Sequence, residues 1–273
     1  MLPPLVGFAV LSRTRGVAAQ HASLSRWRSP VRIRSGPPGD SLALVYDHSM
    51  PREIPVSDGF PPSERTRVRR LPERGLYERS EIYPVVDAAL TCTVAYLLDG
   101  RPMATPTAHW RDGDRLYWHG SAASRFLKSV VGSEVCVSIH LADGIVLARS
   151  GFDSSMNYRS ATLFGSCEEI TGAEKVAQLD AFVDKLVPGR SRELRAAHDQ
   201  ELKATTLLGM TIREASGKIR DGGVHGNDDD ADEKIWAGVV EIEARYTRLV
   251  ADQDPPVIAA PSTMLEQMIG KKI

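Results

Sequence analysis

The chain has 273 residues, 42% of them hydrophobic and 25% charged, with a formal net charge of −1. Such a composition is that of a globular protein of one large domain or two small ones, and the near-zero charge gives no general pull toward nucleic acid or anionic membrane. Cys92, Cys136 and Cys167 are too scattered for a disulfide framework or a zinc cluster and read as buried thiols of a cytoplasmic protein, and no apolar run reaches the roughly eighteen residues of a membrane span.

Residues 1–49 stand apart. They hold six Arg and two Asp but no Lys and no Glu, which leaves 28 basic and 33 acidic residues, a balance of −5, for the rest. An Arg- and Ser-rich, acid-poor segment has the composition of a transit peptide; a secretory signal fits less well, because no cation precedes the apolar Met1–Leu11 run. A third reading rests on Arg28 to Pro38, which looks like a transfer-RNA gene read as protein: Val31-Arg32-Ile33 is what the T-arm sequence GTTCGAATC encodes. On that reading the working chain starts at or near Met50, and residues 1–49 are a disordered, non-native extension. Residues 50–64 are an extended lead-in, 65–250 a folded domain and 251–273 a C-terminal tail.

Within the domain, Arg65 to Arg70 is a basic cluster without the interleaved aromatics of a nucleic-acid surface. Leu76–Leu90 has helical spacing interrupted at Pro84, where a second helix is expected to begin. Leu90–Leu98 reads as a buried strand turned by Asp99-Gly100, with strands at 101–110 and 115–119 joined by Asp112-Gly113. A helix is predicted over 121–131, capped by Ser121. Alternation predicts strands at Ser133–Leu141 and Ile145–Arg149, separated by a turn at Ala142 to Gly144, and a long strand at Asn157–Ile170 with a bulge or close approach at Gly165. A helix over 173–186, a strand over 205–212, a flexible acidic loop over 216–234 and a last strand from Trp236 complete the domain, with a short amphipathic piece at Thr263–Ile269.

The stretch Arg101–Lys128 carries the chemistry. A strand ending in Tyr117-Trp118-His119-Gly120 runs into a serine-rich helix start with Arg125 and Lys128 three residues apart on one face. Hydroxyls and two cations at a helix start make an anion site, and a phosphate-bearing cofactor laid against a β-surface fits it. Trp118 and His119 alternate, so they face opposite sides of the sheet. GxGxxG, P-loop and GxSxG motifs are absent from the sequence.

Six pieces, in order, are specific together: Arg74 to Arg79, Pro102 to Pro106, Leu116 to Ser121, Asn157 to Ser160 with Phe164-Gly165, Glu201 to Lys203, and Ser216 to Lys218. Over roughly residues 65–240 they resemble the FMN-binding split-barrel proteins related to pyridoxamine 5′-phosphate oxidase, in the branch that includes the nitroimidazole-resistance flavoproteins. The resemblance implies a mainly β fold with inserted helices, a six-stranded antiparallel split β-barrel. It further implies a homodimer with flavin mononucleotide (FMN) at the interface. By position, Tyr117, Trp118 and Gly120 would edge the flavin ring and Ser121, Ser124, Arg125 and Lys128 would approach the phosphate. Tyr158, Arg159 and Ser160 form a second block, Trp236 would close the site, and His119 would serve as proton donor or substrate anchor. The arginine-rich C-terminal signature of pyridoxamine 5′-phosphate oxidases is not found. The implied function is a flavin-dependent oxidoreductase passing electrons between a small-molecule donor and acceptor; the alternatives are a non-catalytic flavin, deazaflavin or haem carrier or sensor, and a structural protein with an empty barrel.

Overall fold

A computed structural model describes residues 58–225, 232–254 and 259–273. The expectations for residues 1–49, for the first part of the lead-in and for the acidic triplet Asp228 to Asp230 fall outside these. The described part begins with a short strand β1 (Gly75–Leu76) and helix α1 (Arg79–Ala88). Strands β2 (Thr91–Leu98), β3 (Arg101–Ala108), β4 (Trp110–Asp112) and β5 (Arg115–Ser121) follow, then α2 (Arg125–Val130). Two long strands, β6 (Glu134–Leu147) and β7 (Ser155–Ile170), precede α3 (Gly172–Leu186), α4 (Asp199–Ala204), β8 (Thr205–Thr211), β9 (Glu214–Arg220), β10 (Gly238–Glu241) and α5 (Thr263–Glu266).

The strands pair antiparallel in the order β3-β2-β6-β7-β8-β5-β4. Because β3 and β4 are successive halves of one extended run broken at His109, the path starts and ends on the same stretch of chain. That is the topology of an antiparallel split barrel, whose long strands are β2, β3, β5, β6, β7 and β8. β9 extends the sheet beside β7 and pairs β1, and β10 lies along the far end of β6. β7 holds the two halves together: Tyr158–Phe164 pairs with β9, and Cys167–Ile170 pairs with β8. At the crossing stands Gly165, where a methyl group would sit 2.1 Å from the Thr211 carbonyl oxygen. The sequence expectation of a close approach is met there.

Alternation along each strand decides what is inside. Val94, Leu116, Trp118, Val137, Leu163, Leu208 and Met210 are fully buried and meet Ile82, Val85 and Val86 of α1 in one core. Each such side chain contributes about 1.5–3 kcal/mol relative to exposure. On the other side of β4–β5, Trp110, Tyr117, Ile170 and Leu207 form a smaller cluster roofed by Ala181 and Phe182 of α3.

The structure departs from the sequence reading in four places. α1 is one helix with Pro84 inside it, not two. The turn expected at Ala142 to Gly144 is a bulge in one continuous β6, since β7 pairs on both sides of it and the register shifts between Ala142 and Gly144. Ser216 to Arg220, expected in a loop, belongs to β9. The helix expected from Ser121 starts at Arg125, with Ser124 rather than Ser121 as its cap: the Ser124 hydroxyl accepts from the Leu127 amide at 3.4 Å. Among the described residues no helix is long and apolar enough to cross a membrane.

Candidate functional site

β4 pairs with β5 only from Arg115 to Tyr117, while β8 pairs with β5 along its whole length. Beyond Tyr117, the residues Trp118 to Ser121 therefore have one backbone edge without ladder partners among the described residues. This opening in the barrel lies beside the start of α2. Gly120 permits the fold there, since a Cβ at that position would stand 3.1 Å from Leu127 Cδ1. The Ser121 hydroxyl accepts from the Ala123 amide at 3.2 Å, and the Ala122 amide donates to the Ala204 carbonyl at 2.8 Å, tying the connection to the end of α4.

α2 buries Leu127 and Val130 and exposes Arg125 and Lys128 on its other side. Arginines elsewhere meet carboxylates: Arg79 with Asp114 at 3.0 Å, Arg111 with Asp87 at 2.5 Å, Arg115 with Glu174 at 2.9 Å and Arg159 with Asp143 at 2.7 Å. Neither Arg125 nor Lys128 has such a partner among the described residues. The contrast marks a cationic spot beside two serine hydroxyls and an open strand edge. With only six residues, α2 adds little dipole, so the charges themselves make the attraction.

Other expected residues are disposed differently. Tyr117 stacks on Trp110 (centroids 5.8 Å apart, planes at 16°) and donates to Glu174 at 3.4 Å. Trp118 lies wholly in the core, its Nε1 without an acceptor among the described residues. Both can therefore meet a ligand only through their backbone. His119 packs edge-on against Phe182 at 4.5 Å and beside Trp110 at 5.8 Å, with Nδ1 buried and without a hydrogen-bond partner among the described residues. Burial lowers its pKa from the ordinary value, which keeps the ring neutral near pH 7. A neutral imidazole is a poor acid but a competent hydrogen-bonding or anchoring group.

The second block splits across the sheet. Tyr158 and Ser160 share the outer face of β7, where Ser160 Oγ donates to the Lys218 carbonyl at 3.2 Å. Arg159 turns to the opposite face and grips Asp143 at the bulge of β6 with two bonds, of 3.0 and 2.7 Å. Glu168, further along the same strand, pairs with Arg115. Trp236 is 65% exposed and precedes β10, which pairs with β6 at Leu147, about ten residues along that strand from the part beside β2. Within one chain, then, Gly120, Ser121, Ser124, Arg125 and Lys128 come together, while Tyr158, Ser160 and Trp236 lie on other surfaces. A cavity of about 310 Å³ beside Tyr96, Met103, Cys136 and Phe164 does not include the α2 cations.

The sequence profile of the pyridoxamine 5′-phosphate oxidase family matches residues 78–219. The flavocytochrome Anf3 of Azotobacter vinelandii is 37% identical, with a TM-score of 0.68 over 76% of this chain and 98% of that one. A FAD- and haem-binding protein of Mycobacterium smegmatis is 36% identical, with a TM-score of 0.69 over 72% and 98%. A 5-nitroimidazole antibiotic resistance candidate from Bacteroides thetaiotaomicron is 20% identical, with a TM-score of 0.45 over 53% and 86%. No curated protein matches the chain significantly.

Proposed function

This chain belongs to the pyridoxamine 5′-phosphate oxidase family, and we propose that it is a flavin-binding redox protein, an oxidoreductase that holds FMN between two copies of itself and moves electrons between a small donor and a small acceptor. The observation that carries this reading is the pair Arg125 and Lys128, exposed and without carboxylate partners among the described residues, beside the open edge of β5. A flavin phosphate with close to two negative charges matches two cations and the Ser121 and Ser124 hydroxyls in sign and in hydrogen-bonding capacity. Trp118 to Ser121 offers backbone donors and acceptors along which a ring edge can bond. Tyr158, Ser160 and Trp236, remote from α2 in one chain, reach the ligand from the second copy.

When bound, the flavin supplies the hydride and electron chemistry, and the protein supplies position and electrostatics. His119 acts by fixing a substrate or a ring atom rather than as a strong acid, in keeping with its depressed pKa. The three free thiols accord with a reducing, cytoplasmic setting.

The reading is tested on the purified protein by absorbance and by anaerobic addition of a reduced nicotinamide, then a quinone or nitroaromatic. A yellow protein whose flavin bands bleach and return supports an oxidoreductase. Flavin that stays bound but inert to every donor supports a carrier or sensor, the second reading, in line with the binding of FAD and haem that names the similar Mycobacterium smegmatis protein. A colourless protein that ignores added FMN contradicts both.

A further inference from the structure

α4 ends against the connection between β5 and α2, and a helix ends on its carbonyls, which have no partner within it and carry the negative end of its dipole. The Ala204 carbonyl accepts from the Ala122 amide at 2.8 Å, and the Glu201 carbonyl from the Thr205 hydroxyl at 2.9 Å. The Leu202 carbonyl accepts from the Thr205 amide and from Lys175 Nζ at 2.8 Å, and Lys175 also donates to the Thr205 carbonyl. Thr205 in turn stands directly opposite Ser121 in the β5–β8 ladder. One strand spacing and one hydrogen bond therefore put the Lys175 ammonium within about 10 Å of the Ser121 backbone. Lys175 is half-buried, and both of its bonds go to neutral oxygens. No carboxylate of the described residues pairs with it: the adjacent Glu174 is taken by Arg115 and Tyr117, and Glu201 by Arg195. A cation drawn partly out of water without a counter-ion is costly.

We propose that Lys175 is a positioning residue of the phosphate site, a third cation that acts through the end of α4 without touching the ligand and that sets a preference for phosphorylated flavin over riboflavin. Carbonyl oxygens gathered one strand away from an anion oppose it. An ammonium bonded to two of them reverses the sign of that end of the helix and holds the Ala122–Ser124 connection where its hydroxyls meet the phosphate. Arg125 and Lys128 are exposed and screened by salt, whereas Lys175 is fixed by its two carbonyls and partly shielded from water. Riboflavin, which has no phosphate, gains nothing from that charge. This inference rests on the flavin reading above and deepens it: α3, which covers the other side of β4–β5, also contributes to the phosphate site on α2.

The test titrates FMN and riboflavin separately into the full chain and into Lys175→Met and Lys175→Arg, following flavin fluorescence, with a melting curve for each variant. Lys175→Met is expected to weaken FMN about three- to tenfold, the effect of one unit charge at this distance, and to leave riboflavin within about twofold. Lys175→Arg, which keeps the charge and the donors, is expected to restore the preference for FMN, and the deficit of Lys175→Met is expected to shrink as salt is raised. Where Lys175→Met does not fold, Lys175→Gln carries the same comparison. Equal weakening of both flavins makes Lys175 a brace only and overturns the inference, as does an unaltered FMN preference in Lys175→Met. In both of those outcomes a wild type that binds FMN leaves the flavin reading standing. A wild type that binds neither flavin overturns that reading, and this inference with it.

Discussion

Two histidines packed against aromatic or apolar neighbours make the chain sensitive to mild acid. His109, at the break between β3 and β4, is 1% exposed and bonded through Nε2 to the Val86 carbonyl at 3.0 Å; burial lowers its pKa, as it does that of His119. The unfolded chain therefore binds protons that the folded one refuses. Their contribution is intact above the ordinary imidazole value of about 6.5 and is lost as pH falls from there toward the depressed folded values. The melting temperature is expected to fall between about pH 7 and 5.5, and a His109→Gln, His119→Gln double variant to flatten that slope. A wild-type melting temperature constant over the window contradicts this. Carboxylates held low by arginines, such as Asp114 beside Arg79 and Glu201 at about 2 beside Arg195, lose their contribution only in stronger acid. The thiols of Cys92 and Cys167, pushed up to about 12 by burial, are expected to resist alkylation in the native state, with half-buried Cys136 reacting first. Equal rates at all three by mass spectrometry would sink that ordering.

At the scale of elements, β7 has to pass from one half of the barrel to the other, and Gly165 lets β8 come against it. Gly165→Ala forces a methyl group onto the Thr211 carbonyl and Met210 Cγ, at 2.1 and 2.8 Å, and is expected to cost on the order of 3 kcal/mol. For a chain of this size that is a fall of several degrees in melting temperature, and an unchanged melting curve would remove the crossing glycine from the explanation. The strands were legible from sequence because alternation of buried and exposed residues is a period-2 signal, clear in Cys92, Val94 and Tyr96 and in Val135, Val137 and Ile139. What misled was local chemistry that tertiary pairing overrides. Ala142-Asp143-Gly144 has turn composition, but β7 pairs through it and Arg159 satisfies Asp143, so the chain bulges instead. Pro84 lies inside α1 because Ile82, Val85 and Val86 anchor both sides of it in the core. At the candidate site the cations and the serines were readable as a cluster. The bonds from Lys175 to the end of α4 were not, since residues so distant in sequence meet only through the fold.

For the whole molecule, Tyr158, Ser160 and Trp236 stand on elements other than α2, and the homodimer proposed above would bring those of a second copy to the α2 cations of the first. Phe152 at 96% exposure, Val250 at 76%, Leu97 at 69% and Trp236 at 65% are large apolar groups left in water on the single chain. A homodimer is expected by light scattering, twice the 29.9 kDa chain mass, or about 60 kDa; a monomer that still binds flavin fully would contradict the shared site. The central claim is that a phosphate docks where β5 hands over to α2. It is tested most directly by titrating FMN into the wild type and into an Arg125→Ala, Lys128→Ala double variant and following flavin fluorescence. Loss of both charge-assisted contacts is expected to weaken binding by about 2–4 kcal/mol. An unchanged dissociation constant in the double variant contradicts the claim.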